Sequence, residues 1–468
     1  LTSGASGLVT DLVVEDGTRI EMYKAPTTPA DPAQGILDVV DRAADSRAQS
    51  VRAFLADVDV FVHGTTHAIN AIITGNTART AFLTSAGHPD ILVLREGGRQ
   101  EPFNFAVPFP APYVPRALTF EIPERIRADG TIERPLDERA VVTTLRRLRS
   151  EKVESVGVCL LWSSVNPAHE LRLGELLEEH LPAIPYSLSH ELNPILREYR
   201  RASSAVIDAS LKPLMSRYLG GLSERLGSHG FTGRLLMLTS KGGVMEFADL
   251  AKAPIHAIGS GPSMAPVAGR YFSRRDVRAD TAIVADTGGT TYDVSLVRKG
   301  VIPMTPETWI GERYRGHIVG FPSVAVKSIG AGGGSIAWVD DGGLLHVGPR
   351  SAGAVPGPAC YGRGGQSATV TDASLVLGHI DPNYFLGGEM HLEVSRATAA
   401  IEADVGRPLK LDLYAAAEAV LQLATENMVA AIEQITVHQG LDPRGTVLVG
   451  GGGAAGLNSV RIARRLGC

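Results

Sequence analysis

Apolar positions along the chain follow two different spacings. Short, nearly continuous apolar runs at residues 8–14, 58–62 and 153–162 are typical of buried strands. Between them, apolar residues recur at helical spacing, as in residues 32–53 and 169–181. Strands that alternate with amphipathic helices indicate layered α/β sheets. The pattern therefore predicts an α/β protein.

The same pattern predicts two lobes. Pro182 and Pro185 interrupt the helical spacing that ends near residue 181, and a long helix is predicted over residues 203–226. We therefore expect an N-terminal lobe at residues 1–185 and a second lobe at residues 186–468. The sequence starts at Leu1 and stops inside a helical pattern, so we also expect the chain to be incomplete at both ends.

Composition narrows the class of protein. Lys and Arg number 45 against 50 Asp and Glu, a balance that argues against a dedicated nucleic-acid binder. Three widely separated cysteines provide neither a disulfide framework nor a CxxC zinc motif, which favours a cytoplasmic location. Glycine accounts for 52 of 468 residues, above the usual share of about 7%. We expect many tight turns and close backbone approaches.

The clearest local motif is a predicted strand–turn–strand at residues 283–297. Asp286 and Asp293 stand on its two strands, where they could orient the water ligands of a magnesium ion. The turn between them holds four candidates for phosphate contact: Gly288, Gly289, Thr290 and Thr291. The chain has no GxxxxGK[ST] motif, so this is not a Walker loop. An ordinary hairpin is the alternative interpretation.

A second glycine-rich turn lies near the end of the chain. A predicted strand at residues 447–449 leads into Gly450, Gly451, Gly452 and Gly453, and a helix follows at residues 457–466. A strand, a glycine turn and a helix N-terminus together favour nucleotide or anion binding. Gly451, Gly453 and Gly456 also match the motif GxGxxG, so a dinucleotide-binding domain is an alternative. That alternative leaves the Asp286 hairpin unexplained.

The start of the chain looks like a diverged copy of the hairpin. Aligning Asp11 with Asp293 places Gly4, Ser6 and Leu8 opposite Asp286, Gly288 and Thr290. Two related hairpins imply two related lobes. Gly4 in place of an acid removes a candidate ligand for metal or water.

Together these features resemble the actin–hexokinase–heat-shock-chaperone ATPase architecture, an α/β fold with two lobes and duplicated mixed sheets. More narrowly, the chain resembles the hydantoinase A / 5-oxoprolinase family, which includes ATP-dependent acetone and acetophenone carboxylase subunits. The motifs extend over essentially the whole chain: His63-Gly64-Thr65-Thr66, Ser85-Ala86-Gly87-His88-Pro89-Asp90, Glu198-Tyr199-Arg200-Arg201, Gly330-Ala331-Gly332-Gly333-Gly334-Ser335 and Thr369-Val370-Thr371-Asp372.

The resemblance implies a subunit that uses ATP, with Mg²⁺ or Mn²⁺, to phosphorylate the oxygen of a hydantoin or lactam. Ring-opening hydrolysis would then proceed with a hydantoinase B-like partner in a hetero-oligomer. A ketone carboxylase subunit is the first alternative, and a catalytically degenerate scaffold subunit is the second. We expect the nucleotide to lie between residues 286–293 and 450–453, with the metal near Asp286.

Several further residues are candidates for the functional site, and each of them also has a structural interpretation. The candidate catalytic residues are Asp286, Asp293 and His63. For His63, a purely structural role is the alternative. Six residues are candidates for contact with substrate or anion: Thr65, Thr66, Gly332, Gly333, Gly334 and Ser335. For the glycines among them, simple turn formation is the alternative. Asp372 is a candidate metal ligand or, equally, a helix cap.

Overall fold

The computed structural model describes the backbone of residues 2–6 and 9, and residues 10–17, 19–26, 28, 31–96 and 103–468 in full. The strands in chain order are β1 (Thr2–Ser6), β2 (Val9–Asp16), β3 (Arg19–Pro26), β4 (Val60–Thr65), β5 (Thr80–Ser85), β6 (Thr119–Ile122), β7 (Arg125–Ile126), β8 (Ile132–Arg134), β9 (Ser155–Cys159), β10 (Tyr186–Leu188), β11 (Arg234–Leu238), β12 (Val244–Glu246), β13 (Ala282–Thr287), β14 (Tyr292–Val297), β15 (Met304–Thr305), β16 (Trp309–Ile310), β17 (His317–Ile318), β18 (Ser323–Val324), β19 (Val326–Ile329), β20 (Ser335–Val339), β21 (Leu345–Ser351) and β22 (Val447–Gly451).

The helices in the same order are α1 (Pro32–Ser46), α2 (Val51–Ala56), α3 (His67–Ile73), α4 (Ile91–Leu94), α5 (Glu138–Ser150), α6 (Ala168–His180), α7 (Ser189–Leu192), α8 (Glu198–Ser228), α9 (Phe247–Lys252), α10 (Ser260–Val277), α11 (Val370–Val376), α12 (Val394–Ile401), α13 (Arg407–Leu409), α14 (Leu413–His438) and α15 (Ala455–Leu466). Among the described helices, none combines the length and apolar composition needed to cross a bilayer.

The chain divides into two compact units. Unit 1 comprises Leu1–Gly261 and Met304–Ser323, and unit 2 comprises Pro262–Pro303 and Val324–Cys468. This division does not coincide with the lobe boundary that we predicted after residue 185. Helix α8 belongs to unit 1 because it packs on β9, where a Cβ added to Gly157 would lie 2.8 Å from the Cα atom of Val206.

Unit 1 contains two main sheets. The first is mixed, with six strands in the order β12-β11-β4-β1-β2-β3, and the second has four parallel strands in the order β10-β9-β5-β6. The second sheet buries a continuous apolar core against its helices, including Phe82 on β5, Val158 on β9 and Leu145 on α5. Burial of such strands on both faces explains the nearly continuous apolar run at residues 153–162.

Unit 2 is built on a mixed sheet in the order β19-β14-β13-β22. One face packs on α14 and α15, with Ile283, Val294 and Ile432 in the shared core. On β13, the side chain of Val284 faces α10, where Gly269 lies so close that an added Cβ would overlap it. The sheet is therefore covered by helices, and its strand ends are held in fixed positions.

The two mixed sheets repeat one arrangement. The strand order β3-β2-β1-β4 in unit 1 corresponds to β19-β14-β13-β22 in unit 2. Gly4 pairs with Asp11 and with Gly64, whereas Asp286 pairs with Asp293 and with Gly451. This register matches the alignment of the two hairpins made from the sequence, although Leu8 lies outside the described residues. The expected α/β fold with duplicated mixed sheets is confirmed.

Candidate functional site

The acidic hairpin of unit 2 presents a short exposed turn. Gly288 N donates to Thr291 O at 2.9 Å and closes the turn, while Gly289, Thr290 and Thr291 are exposed. In the described part of the chain, no protein hydrogen bond occupies the hydroxyl groups of Thr290 and Thr291. The turn therefore leaves backbone and hydroxyl donors open to a ligand, and the phosphate contacts expected of it stay a prediction.

The two acids of the hairpin lie in register and are half-buried. Burial raises the pKa of Asp286 above its ordinary value. Burial also raises the pKa of Asp293, and the negative charge of Asp286 adds to this shift while hydrogen bonding to Ser328 opposes it. Within the described structure, Asp293 Oδ1 is buried without a hydrogen-bond partner. Such a pair of carboxylates favours an incoming cation and its water ligands, because these would stabilise the ionised forms.

The glycine-rich turn after β22 lies directly against Asp286. Gly452 has a φ of +87°, and an added Cβ would overlap Asp286 Oδ1 and the Thr287 carbonyl. Ala454 N donates to Thr287 O at 3.1 Å, just before α15 begins. The structure thus brings together the two segments between which we predicted the nucleotide. The N-terminus of α15 adds a positive partial charge at the same place.

Gly332, Gly333, Gly334 and Ser335 do not form the open anion cradle that we predicted. Gly333 N donates to Gly288 O at 3.1 Å, and Gly334 N donates to Gly289 O at 2.6 Å. Gly332 N donates to Ser335 Oγ at 2.8 Å. These N–H groups are therefore occupied within the protein. We call residues 330–335 the bracing loop, because their backbone donates hydrogen bonds to the carbonyl groups of the hairpin turn.

Asp372 caps a helix instead of facing a metal site. The residue is fully buried at the start of α11 and forms a capping box with Thr369. Its carboxylate accepts hydrogen bonds from the backbone N–H groups of Ala359, Cys360 and Thr369 and from Thr369 Oγ1, at 2.7–3.2 Å. With both oxygens occupied, the metal-ligand prediction for Asp372 is wrong and the helix-cap alternative is confirmed.

His63, Thr65 and Thr66 lie in unit 1, at the end of β4 and before α3. His63 is fully buried and its Nε2 atom lies 2.7 Å from the Tyr218 hydroxyl on α8. Thr65 Oγ1 accepts from His67 N at 3.1 Å, and Thr66 Oγ1 accepts from the Asn70 amide at 3.2 Å. These contacts favour the structural alternative for His63. The roles of Thr65 and Thr66 toward a substrate stay predictions.

The described residues contain no group of three or more His, Cys, Asp and Glu side chains arranged to hold a metal ion. A divalent ion that keeps most of its waters needs only one or two carboxylates from the protein. Asp286 and Asp293 provide two, with one buried oxygen unpartnered. The donor set therefore fits a hydrated Mg²⁺ or Mn²⁺ ion and not a closed metal cage.

Sequence reasoning missed a buried polar cluster in unit 1. The Glu124 carboxylate accepts a hydrogen bond from Ser85 Oγ and lies 2.7 Å from His169 Nδ1. The three residues are far apart in sequence, and only the edge of the parallel sheet brings them together. The available signs were Ser85, which begins one of the family motifs, and Glu124, two residues after strand β6.

A duplicated mixed sheet with an acidic, glycine-flanked turn defines an ATPase-like α/β protein. The chain belongs to the hydantoinase/oxoprolinase family: the N-terminal region of that family matches residues 6–181, and its hydantoinase/oxoprolinase domain matches residues 201–468. The predicted boundary after residue 185 falls between these two matches. The family expected from the sequence motifs is confirmed.

Several relatives are similar over nearly the whole chain. The caprolactamase subunit alpha of Pseudomonas jessenii is 36% identical over 99% of this chain, which spans 66% of that protein. The acetophenone carboxylase gamma subunit of Aromatoleum aromaticum is 35% identical over 96% of this chain, which spans 62% of that protein. The crystal structure of ATP-dependent caprolactamase from Pseudomonas jessenii matches all of this chain with a TM-score of 0.86 and 35% identity, and 68% of that structure is covered.

Proposed function

We propose that this chain is the nucleotide-binding part of an ATP-dependent enzyme that phosphorylates the carbonyl oxygen of a lactam or hydantoin. The contact between Gly452 and Asp286 carries the proposal, because it joins an acidic hairpin to a glycine turn at a helix N-terminus. The similarity to an ATP-dependent caprolactamase supports both the nucleotide and the cyclic amide.

Each part of the site has a role in this proposal. Asp286 and Asp293 would hold a hydrated Mg²⁺ or Mn²⁺ ion, which neutralises charge on the phosphates. Backbone N–H groups and hydroxyl groups of residues 288–291, with the glycine turn at residues 450–453, would bind the phosphates. Phosphoryl transfer depends mostly on position and charge neutralisation, so a site with these donors and acids suffices.

The proposed step activates a poor electrophile. The lactam oxygen forms a bond to the γ-phosphorus of ATP, the bond from that phosphorus to the bridging oxygen breaks, and ADP leaves with the electron pair. Water then adds to the activated carbon, and the ring C–N bond breaks as the nitrogen takes a proton. A second water releases inorganic phosphate from the resulting acyl phosphate. We assign only the phosphoryl transfer to this chain.

The ring-opening steps would belong to a hydantoinase B-like partner. Relatives carry names of subunits, alpha and gamma among them, which supports a hetero-oligomer. The chain spans less than two thirds of the acetophenone carboxylase subunit, so the partner and the substrate are both part of the proposal. The cytoplasmic location expected from the cysteines is likewise a prediction.

Ketone carboxylation is the second candidate. The acetophenone carboxylase gamma subunit is nearly as similar to this chain as the caprolactamase subunit is. In that reaction the phosphorylated oxygen would be that of a ketone enolate or of bicarbonate. The scaffold alternative rests on Gly4, which occupies the position of Asp286 in the other sheet.

The test compares Asp286→Asn with Asp341→Asn, an exposed acid of unit 2, in the assembled enzyme. We expect Asp286→Asn to lower ATP hydrolysis at least about 100-fold, because a metal-binding charge at the phosphates is lost, and Asp341→Asn to leave it unchanged. Undiminished hydrolysis by Asp286→Asn contradicts the assignment.

Stimulation of ADP release by a lactam or hydantoin supports the hydrolase, and stimulation by a ketone with bicarbonate supports the carboxylase.

A further inference from the structure

The parallel sheet of unit 1 has a binding edge that the proposed function does not use. Its strands run in the order β10-β9-β5-β6. In such sheets, ligands bind beyond the carboxyl ends of the strands, where successive connections leave in opposite directions. That point lies between β5 and β9, because the chain passes from β5 to β6 on one side and from β9 to β10 on the other.

An open cavity of about 570 Å³ lies at this edge. Three of its walls come from residues that follow the strands: Ala86 after β5, Glu124 after β6 and Trp162 after β9. The remaining wall is the β7–β8 hairpin with its turn, whose charged lining residues are Arg125, Arg127, Glu133 and Arg134. We call this space the edge cavity.

The base of the edge cavity is buried and polar. The side chain of Glu124 is fully buried, and its carboxylate contacts Ser85 Oγ and His169 Nδ1. Ser85 Oγ in turn accepts a hydrogen bond from Leu161 N at 2.9 Å. These bonds tie the ends of β5, β6 and β9 together. The base is therefore pre-formed before any ligand arrives.

The rim of the edge cavity is basic. Arg125 and Arg134 face each other in register across the β7–β8 hairpin, and like charges in such a pair repel. Glu133 pairs with Arg127 at 3.1 Å, and no described carboxylate forms an ion pair with Arg125 or Arg134. Both nitrogens of the Arg125 fork lie 3.2 Å from His88 Nε2, which fixes the orientation of the guanidinium. An anion between the two guanidiniums would remove the repulsion.

Trp162 adds a flat apolar wall. It is half-buried and has a φ of +57°, an uncommon backbone conformation for a bulky residue. Residues held in such conformations concentrate at ligand sites, where the surrounding structure compensates for the strain. An aromatic ring at the wall of a cavity suits a ligand that carries an apolar or planar group.

We propose that the edge cavity binds the oxyanion group, phosphate or carboxylate, of a small molecule, with Arg125 and Arg134 as its partners and Trp162 beside the rest of the ligand. Arginine is suited to this role because it stays charged and its guanidinium carries five N–H donors. Arg125 therefore keeps donors beyond the two that face His88. The edge cavity belongs to unit 1 and the Asp286 hairpin belongs to unit 2, and the proposal for the edge cavity does not depend on ATP use.

Calorimetric titration of the full chain with inorganic phosphate, and separately with benzoate, tests the proposal against potassium chloride of equal ionic strength. We expect at least one of the two to bind and to change tryptophan fluorescence. The protein has three tryptophans. Replacement of Trp162 by Phe should remove the fluorescence change, which would show that the change comes from Trp162. Binding of phosphate alone points to a phosphorylated ligand, and binding of benzoate alone points to a carboxylate.

The decisive variants are Arg134→Gln and Arg125→Gln, with Arg139→Gln as the matched control. Arg139 is an exposed arginine on α5 with the same charge and outside the cavity. Loss of one charge-assisted contact should weaken binding by about tenfold or more, and the control should stay within about twofold. Since Arg134 is exposed, its variant should fold, as a melting curve will show. If neither probe binds more than chloride, or all three variants weaken binding equally, the proposal is wrong.

Discussion

At the scale of single residues, the candidate site depends on a glycine that has no room for a side chain. Gly452 combines a φ of +87° with direct contact to Asp286 and Thr287. Any other residue there is strained in its backbone and also pushes the carboxylate away. The position of Asp286 is therefore set by its neighbour on β22 as well as by its own strand.

Replacing Gly452 by Ala should displace the Asp286 carboxylate. We expect nucleotide affinity, measured by calorimetry with a nonhydrolysable ATP analogue and Mg²⁺, to fall by about tenfold or more, because a strained backbone and a displaced acid each cost about 1 kcal/mol or more. Gly456→Ala in α15 is the matched control, since an added Cβ there meets nothing within 4 Å. Equal affinities of the two variants would show that Gly452 does not position the site.

At the scale of elements, the bracing loop explains why the hairpin turn holds its shape. Two backbone hydrogen bonds join residues 333 and 334 to residues 288 and 289. Thr371 N and Thr371 Oγ1 bond to Gly333 O at 2.7 and 2.8 Å, which fixes the loop to α11. Glycine content alone indicates turns and anion cradles equally well. Only the partners of the N–H groups distinguish the two.

Neighbouring substitutions in the bracing loop should have different effects. A Cβ at Gly332 would lie 2.7 Å from backbone atoms of residues 288–290, whereas a Cβ at Gly333 would meet the Thr371 hydroxyl at 3.0 Å. A side-chain hydroxyl can move and a braced backbone cannot. We therefore expect Gly332→Ala to lower the melting temperature by several degrees and to weaken ATP hydrolysis, with the smaller change in Gly333→Ala. Thermal melts and ATPase assays of both variants will check this, and the reverse order would contradict the bracing role.

Helix boundaries show the limits of periodicity. A single helix predicted over residues 32–53 is two helices, because Ala48 adopts a φ of +52° and ends the first one near Ser46. Neither glycine nor proline marks that break. Helix α8 runs through Pro213, as the helix predicted over residues 203–226 requires, although a proline inside a helix usually breaks it. Tertiary packing overrides local preference at both places.

At the scale of the whole molecule, one arrangement of strands occurs twice with different chemistry. Asp11 pairs in register with Lys24 and forms an ion pair with it at 2.5 Å. The corresponding Asp293 pairs in register with Ser328 and stands opposite a second acid. The acid of unit 1 is thus neutralised within the protein. Of these two corresponding acids, both described in the structure, Asp293 is the one without a cationic partner in the protein.

This difference predicts how stability depends on pH. The raised pKa of Asp293 means that the folded state binds more protons than the unfolded state between the ordinary value, 3.8, and the raised one. The contribution of Asp293 to stability therefore falls as pH rises through that window. Without nucleotide and metal, Asp293→Asn should become more stable relative to the wild-type chain as pH increases.

The free energy of unfolding from about pH 4 to about pH 8, measured by denaturant titration of both proteins, gives this difference directly. Asp341→Asn, at an exposed position, provides the baseline. A stability of Asp293→Asn relative to the wild-type chain that stays constant or falls as pH rises would contradict a raised pKa at Asp293.

The sequence by itself determined the fold class, the family and the two segments that meet at the candidate site. It could do so because strand and helix periods, glycine turns and acids on strands are local properties that remain the same wherever the segment lies. Tertiary structure alone decided which groups have partners. The amides of Gly333 and Gly334 and the ring of His63 are occupied by residues distant in the chain. The Asp372 carboxylate is shared between the neighbouring Thr369 and the more distant Ala359 and Cys360. Hydrogen-bond saturation depends largely on such long-range neighbours, so the sequence could offer the helix cap of Asp372 as one of two alternatives but could not choose between them.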